Sequence, residues 1–409
     1  MAASHIEAAM LNGIHLVDFG NHRNTRLTFG PMTALVGQNG SGKTTVMRAI
    51  EEVYRVMNDP ENADGIRDEL HRYRGDEAIV CAAWGGAIGG QGGAWGLIAE
   101  GFAGATWLWR KDSRETSSWT PDWEADYEKV PLVSYVRPIT LPPAEAGAIY
   151  RIGIKAQAKP PRRSKWSYFK TSGSSLSRPA FANPKETLLN SDGSNLAWAL
   201  ASLMTEHPNR FSQILGALRE VVPIVNSIRS KSVSLKQLVK QTIIINKRER
   251  TFDEEREVNG QELIFDMKSG NGLPATSVSE GTLVVLAVLT LVYGSDADLI
   301  MLDDVELGLH PKAQRDLIRQ LRRIQETHPK LQILVSTHSP YVVDEFKAED
   351  VWVFAPDKEG CAVAKRLSEH PDAKRALEVL TTGEFWSAEG EPWVLDDEPT
   401  ARVAEEPGA

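Results

Sequence analysis

The chain has 409 residues, of which 42% are hydrophobic and 25% are charged, a composition typical of a soluble globular protein with one large or two ordinary domains. Its formal net charge of -9 excludes a uniformly basic nucleic-acid binder, although much of the acid follows residue 383 and leaves room for a local basic groove. The two cysteines, Cys81 and Cys361, have no metal-ligand spacing and the N-terminus lacks a signal-peptide layout, so we expect a cytoplasmic protein without disulfides.

The N-terminal region predicts two strands followed by a helix. Apolar or alternating residues lie on either side of a polar turn, NHRNT, and the second strand runs into GQNGSGKTT, residues 37–45. Helical periodicity then extends from about Thr44 to Asn58. Residues 84–123 are rich in tryptophan and glycine, which predicts an antiparallel meander whose aromatic side chains form either a satellite core or a base-stacking platform.

The composition changes near Ala156. Residues 157–179 are rich in proline, serine and basic side chains, which predicts a mobile loop or lid. Residues 162–170 interleave basic and aromatic side chains, and this pattern suits either contact with nucleic acid or a charged, solvated loop. Two helices separated by His207-Pro208 are expected within residues 194–222.

The last third alternates helix, strand, helix and strand, which is the pattern of a parallel sheet with crossover helices. Residues 282–294 are apolar but fall short of the roughly 20 residues needed to cross a bilayer, so they predict a core helix and no membrane contact. The strands are expected at LIMLDD, residues 299–304, and at QILVSTHSP, residues 332–340, with a helix from about Pro311 between them.

The segment GQNGSGKT, residues 37–44, matches the phosphate-binding pattern G-x-x-x-x-G-K-[ST] and follows a strand and precedes a helix, as that loop requires. Successive backbone N–H groups can converge on the phosphates, Lys43 can reach the β and γ phosphates, and the Thr44 hydroxyl can coordinate Mg²⁺. The residues expected to bind the nucleotide here are Gly37, Gln38, Asn39, Gly40, Ser41, Gly42, Lys43, Thr44 and Thr45.

The strand LIMLDD ends in two adjacent carboxylates, Asp303 and Asp304. A carboxylate at the end of a buried strand costs free energy unless a cation or hydrogen bonds compensate it. We expect Asp303 to hold Mg²⁺ and Asp304 to orient or deprotonate the attacking water. The alternative is that one or both carboxylates cap a helix or pair with an arginine.

Taken in this order, the motifs resemble those of the ABC-type ATPases of the RecF, SMC and OLD branch, which are AAA-labelled ATPases with an ABC-like head. The resemblance covers nearly the whole chain and rests on the opening strands and Walker A (residues 14–45), a segment before the helical arm (191–203), the signature helix (278–289), Walker B with the D-loop (299–311) and the switch histidine (334–340). It implies an α/β fold, namely an ABC-type P-loop head with an antiparallel β subdomain and an inserted helical arm or lid.

The resemblance also implies roles for individual residues. Ser279 and the Gly281 backbone would contact the γ-phosphate held by a second protomer, so that ATP would join two heads. His338 would sense the γ-phosphate, with a turn-capping histidine as the alternative. Phe19 lies near the place of an adenine-side aromatic, and Gln91 is a poor candidate for the Q-loop glutamine.

Three features depart from the pattern of this branch or of its relatives. Asp304 replaces the usual glutamate, and its shorter side chain predicts slow hydrolysis, with Glu306 as the next candidate acid. Glu280 lies where the signature motif of ABC transporters has its first glycine, so this motif fits the RecF and OLD branch better than a transporter head. The residues after His338 show no TOPRIM nuclease pattern, so we expect a separate effector protein, a nuclease or a toxin.

We divide the sequence into four segments: an N-terminal ATPase lobe (1–155), a basic lid and helical insertion (156–230), a C-terminal ATPase lobe (231–365) and an extension with an acidic tail (366–409). The aromatic and acidic residues 385–393 predict either a docking strip for a partner or a solvated tail.

The leading functional hypothesis is an ATP-dependent, dimerising regulatory ATPase that controls the effector in prokaryotic anti-phage defence, with DNA or a phage product as trigger. The alternatives are a RecF-like DNA repair ATPase and a nucleotide-gated scaffold with negligible hydrolysis.

Overall fold

The computed structural model describes residues 10–58, 77–85, 93–100, 104–111, 165–170, 173–181, 183, 188–245 and 248–396. The chain forms two compact units: the first comprises residues 1–166 and 328–409, and the second comprises residues 167–327. The four-segment division proposed from the sequence stays a prediction.

The strands of the described residues are β1 (Met10–Phe19), β2 (His22–Thr28), β3 (Met32–Gly37), β4 (Glu77–Gly85), β5 (Gly93–Glu100), β6 (Gly104–Lys111), β7 (Trp166–Lys170), β8 (Ala180–Phe181), β9 (Val225–Ile245), β10 (Arg248–Met267), β11 (Gly270–Pro274), β12 (Leu299–Asp303), β13 (Gln332–Thr337), β14 (Val351–Pro356) and β15 (Ala362–Arg366). The helices are α1 (Lys43–Asn58), α2 (Gly173–Leu176), α3 (Leu196–Glu206), α4 (Pro208–Val221), α5 (Glu280–Gly294), α6 (Pro311–Thr327), α7 (Pro340–Val343), α8 (Ala373–Ala376) and α9 (Thr382–Glu389).

The first unit contains parallel strands with the phosphate-binding segment at their carboxyl edge. The strand β3 pairs in parallel with β13 on one side and with β14 on the other, and β15 adds an antiparallel edge. All residues of β3 and β13 are buried, as expected for parallel strands covered on both faces. The α/β fold class with parallel strands is thus confirmed.

An antiparallel sheet of order β2-β1-β4-β5-β6 also belongs to the first unit, so the antiparallel β subdomain is confirmed. The buried side chain of Gln332 bonds both the N–H and the carbonyl of Leu11 and thereby ties the two sheets of this unit together. The connection between β1 and β2 is shorter than predicted, because His22 already belongs to β2. Residues 112–150 lie outside the described part of the chain.

The first two residues of the segment 385–393 differ from both of its sequence-based interpretations. Phe385 is 1% exposed and Trp386 is 7% exposed, and both lie on α9. Thr381 caps α9 in a capping box with Glu384. Phe385 and Trp386 therefore form neither exposed anchors of a docking strip nor part of a solvated tail, because their apolar side chains pack into the core of this unit.

The second unit contains the helices α3 and α4, as predicted, followed by a long antiparallel ribbon. The ribbon consists of β9 and β10, whose backbone partners run from Val225 with Met267 to Ile245 with Arg248. At its base, β10 also pairs with β8 and β11. In the described residues the insertion is therefore part helix and part β ribbon.

The apolar helix α5 forms the centre of the second unit, with every residue from Gly281 to Val292 buried, which confirms a core helix. No helix among the described residues is long and apolar enough to span a membrane. The strands β12 and β7 are neighbours in this unit, and every residue of β12 is buried.

Candidate functional site

The phosphate-binding segment lies between β3 and α1 of the first unit, as predicted. Three of its glycines have positive φ angles: Gly37 (139°), Gly40 (79°) and Gly42 (107°). A Cβ atom at Gly37 would lie 2.3 Å from the carbonyl oxygen of Phe354 on β14, so a side chain there is excluded by packing as well as by φ. Residues 38–40 are exposed, which leaves the loop open to a ligand.

Lys43 begins α1 and bends back over the loop. Its ammonium donates to the carbonyl oxygens of Gly37 at 2.7 Å and Gln38 at 2.9 Å, although the side chain is 96% buried, with 4% exposed. The Ser41 hydroxyl is buried and has no hydrogen-bond partner among the described residues. The first turn of α1 carries no acidic residue, and its Thr44 and Thr45 are half-buried. A helix N-terminus with a buried cation and an unsatisfied hydroxyl fits a phosphate group.

The turn between β1 and β2 supports the phosphate-binding loop through contacts that the sequence did not indicate. The Asn21 side-chain amide donates to the carbonyl of Gly40 at 3.0 Å, and His22 Nε2 donates to the carbonyl of Gly42 at 3.0 Å. His22 Nδ1 lies 2.9 Å from the Thr25 hydroxyl, so both ring nitrogens of the neutral form are bonded. Burial lowers the pKa of His22 to about 4, against the smaller, raising effect of the Gly42 bond.

His338 directly follows β13, whose last residue, Thr337, is the parallel partner of Val36. It therefore lies at the carboxyl edge of the strands, next to the start of the phosphate-binding loop, and its side chain is half-buried. The next residue, Ser339, caps α7 by accepting a hydrogen bond from the backbone N–H of Tyr341. This placement suits the sensing role proposed for His338.

Phe19 is in a different environment from the one expected. It is completely buried in the core of the first unit, and its neighbours Asp18 and Gly20 have positive φ angles of 49° and 63°. It offers no surface to an adenine ring, so that expectation is wrong. Gln91, the poor candidate for the Q-loop glutamine, lies outside the described residues.

In the second unit, the two acids at the end of β12 share a lysine. Asp303 is 1% exposed, and its Oδ2 accepts hydrogen bonds from Lys170 Nζ at 2.8 Å and from the Tyr168 hydroxyl at 3.0 Å. Lys170 Nζ also donates to Asp304 Oδ2 at 3.2 Å. Burial acts to lower the pKa of Lys170, but the hydrogen bonds and charges of the two carboxylates outweigh it and raise this pKa.

These contacts correct the sequence-based view of residues 165–170, whereas residues 157–164 of the predicted lid lie outside the described part of the chain. Lys170 is not part of a mobile lid but the last residue of β7, and the cation paired with the acids is this lysine rather than an arginine. Tyr168 and Lys170 are two residues apart and so share one face of the strand, with the buried Phe169 on the other. The alternation in WSYFK was the signal that could have identified them.

Asp304 has a φ angle of 54°, which places a non-glycine residue in the left-handed region. Such a conformation costs roughly 1–3 kcal/mol and persists where the surroundings hold it, frequently at functional sites. Carboxylate oxygens are ligands that Mg²⁺ prefers, so the carboxylate of Asp303 fits a hard divalent cation.

The signature residues also lie in the second unit, where α5 begins against the loop that follows Asp304. Ser279 is the N-cap residue of α5, and its hydroxyl lies 2.8 Å from that of Thr282. A Cβ atom at Gly281 would lie 2.4 Å from the carbonyl oxygen of Gly308. Ser279 and Glu280 are exposed, whereas Gly281 is buried by this close approach.

Two protein-family models match the chain. The model described as "AAA domain, putative AbiEii toxin, Type IV TA system" matches residues 167–344, and one described as "AAA domain" matches residues 14–53.

Among curated relatives, the Retron Ec83 probable ATPase of Escherichia coli is 28% identical over 105 residues, which is 22% of this chain and 19% of that protein. The Retron Vc95 probable ATPase of Vibrio cholerae is 30% identical over 96 residues, 23% of this chain and 18% of that protein. The chain thus matches about a fifth of the length of these relatives.

Solved structures with a similar fold include the SMC head domain from Thermotoga maritima, which is 12% identical, has a TM-score of 0.44 and covers 87% of this chain and 98% of that one. The SmcHead bound to the C-winged helix domain of ScpA is 12% identical with a TM-score of 0.47, covering 90% and 99% respectively.

Proposed function

We propose that the chain, which matches AAA-domain family models, is an ATPase of the RecF, SMC and OLD branch that binds ATP with Mg²⁺ and hydrolyses it slowly to ADP and phosphate. The observation that supports this most directly is the loop from Gly37 to Thr44. There, glycines with positive φ, a buried lysine and the start of α1 form a cradle for the phosphates.

Each residue has a role that follows from its chemistry. The ammonium of Lys43 gives up its bonds to the loop carbonyls and binds the β and γ phosphates, which then supply the oxygens that it needs. Thr44 and Asp303 are the proposed ligands of Mg²⁺, which when bound neutralises charge on the transferred phosphoryl group. His338 reports whether the γ-phosphate is present.

Asp304 orients the attacking water and accepts its proton in this proposal. Its carboxylate is set back by one methylene from where a glutamate would place it, and it is already bonded to Lys170. A misplacement of about 1 Å can cost on the order of 100-fold in rate, so hydrolysis is slow and the ATP-bound state is long-lived.

We further propose that ATP joins two protomers and that the joined form controls a separate effector, a nuclease or a toxin, in anti-phage defence. The exposure of Ser279 at the start of α5 supports a contact with a nucleotide held by another copy. The retron ATPase relatives support a role in defence.

The test is to measure oligomeric mass by light scattering with ATP, with ADP and without nucleotide, alongside phosphate release. Lys43→Ala should abolish both the ATP-dependent increase in mass and phosphate release. Arg48→Ala removes an exposed cation from the same helix and should leave both unchanged. If the parent chain releases phosphate but has the same mass under all three conditions, dimerisation is rejected and the ATPase activity stands. If Lys43→Ala releases phosphate as fast as the parent, the nucleotide site itself is rejected.

A further inference from the structure

One lysine holds both carboxylates at the end of β12, and this arrangement bears on how a metal reaches them. Lys170 Nζ lies 2.8 Å from Asp303 Oδ2 and 3.2 Å from Asp304 Oδ2. We infer that Lys170 is a positioning residue whose ammonium competes with Mg²⁺ for Asp303 and so limits the affinity for the metal. This inference rests on the proposed function, because it takes Asp303 as a metal ligand.

The environment of Asp303 explains why a cation is held there. Its side chain has no exposed surface, and a buried ionised carboxylate is strongly destabilising unless charge and hydrogen bonds compensate it. Lys170 supplies the charge, and the Tyr168 hydroxyl supplies a second hydrogen bond to the same oxygen. Before any metal binds, the protein thus provides its own counter-ion for this acid.

A metal on the same oxygen would conflict with this counter-ion. Mg²⁺ binds carboxylate oxygens at about 2.0–2.1 Å and demands near-octahedral geometry, so it would lie within a few ångströms of the ammonium. At that distance the repulsion between a divalent and a monovalent cation is many times the thermal energy, even at the effective dielectric of a protein surface. The two cations therefore exclude each other at Asp303 Oδ2.

The partial exposure of the Lys170 side chain allows its ammonium to move away from Asp303. The Lys170 side chain is 40% exposed and the Asp304 side chain is 24% exposed. When a metal takes Asp303, the ammonium can therefore turn toward water while it keeps the bond to Asp304. In that state Lys170 acts through Asp304, because it holds the carboxylate of this proposed water-orienting acid in position.

The experiment measures metal affinity rather than turnover. Mn²⁺ is titrated into the full chain with a non-hydrolysable ATP analogue, and free Mn²⁺ is followed by electron paramagnetic resonance. Lys170→Met should bind Mn²⁺ more tightly than the parent, by about 5-fold to 150-fold, the usual range for coupling between two bound groups. Lys268→Met removes an exposed lysine from the same unit and should match the parent.

Two further variants distinguish the effect of removing the charge from an effect of disturbing the fold. Lys170→Gln is neutral but keeps a donor for Asp303, and it should also bind Mn²⁺ more tightly than the parent. Lys170→Arg keeps the charge and should stay within about twofold of the parent, because charge is what opposes the metal. A purely structural lysine would give the opposite sign, with weaker Mn²⁺ binding in every variant.

Mn²⁺ binding by Lys170→Gln that is equal to or weaker than that of the parent overturns the inference. Asp303→Asn then shows how far the failure extends. If Asp303→Asn has lost Mn²⁺ binding, the metal ligand stands and only the competition fails. If Asp303→Asn binds Mn²⁺ as the parent does, both the competition and the assignment of Asp303 as a metal ligand are wrong.

Discussion

The Nε2 atom of His22 lies 3.0 Å from the carbonyl oxygen of Gly42, so a buried histidine supports the phosphate-binding loop. In the folded chain this histidine has a pKa of about 4, whereas in the unfolded chain its pKa is the ordinary 6.5. Between these two values the unfolded state binds more protons than the folded state. The contribution of His22 to stability is therefore complete above pH 6.5 and is lost as the pH falls toward 4.

The expected loss is about 3 kcal/mol in the free energy of unfolding between pH 7.5 and pH 4. Urea unfolding across this range measures it. His22→Phe should be less stable than the parent at pH 7.5, because two hydrogen bonds are lost, but should show a smaller decrease with acid. His328→Gln, at an exposed position, should keep the parent's full pH dependence. Equal pH dependence in His22→Phe and the parent would show that His22 is not the titrating group.

The phosphate-binding loop and the two acids of β12 could be predicted because their signals are local. Glycine spacing, a lysine and an adjoining strand and helix lie within a few residues, and a buried strand that ends in two acids is visible in the six residues LIMLDD. The core helix α5 was equally predictable, since an apolar run on all sides of a helix that is too short to cross a bilayer indicates burial in a core.

Lys170 could not be placed in the same way, because its partner Asp303 is 133 positions away in the sequence. The proline- and serine-rich composition around it indicated a lid, and the short alternation within β7 was outweighed by that composition. The C-terminal residues are a similar case. Acidic residues suggested solvent, whereas Thr381 and Glu384 are a capping-box pair that marks the start of a packed helix.

Gly281 should not tolerate a side chain, because its Cβ position lies 2.4 Å from the Gly308 carbonyl. Gly281→Ala forces α5 away from the loop after Asp304, at a cost of about 1–3 kcal/mol in the free energy of unfolding. The control is Gly216→Ala on α4, where nothing lies within 4 Å and the helix should be stabilised by about 0.5–1 kcal/mol. Denaturant unfolding compares the two variants, and a shift of the same sign in both would contradict the close packing.

Asp304→Asn separates the backbone of this position from its acid. Asparagine tolerates the left-handed φ of 54°, so the fold should be retained while the proton acceptor is lost. We expect ATP binding to persist and phosphate release to fall by about 100-fold or more, as for the loss of a positioned acid or base. Single-turnover measurements with bound ATP follow both quantities. A rate equal to that of the parent would move the role to another acid, with Glu306 the next to replace.

Phe385 is predicted to act through the core of the first unit rather than through a partner. It is 1% exposed, and its ring centroid lies 5.1 Å from that of His370 in an edge-on contact. Phe385→Ala should cost about 3–5 kcal/mol of stability, as for other buried phenylalanines. Val379→Ala removes a side chain that is 86% exposed in the same region and should change stability by no more than about 0.5 kcal/mol. Equilibrium unfolding and limited proteolysis would distinguish the two variants. If Phe385→Ala kept the parent's stability and protease resistance but lost a copurifying protein, Phe385 would serve as a partner anchor after all, and its burial in this unit would not describe its role.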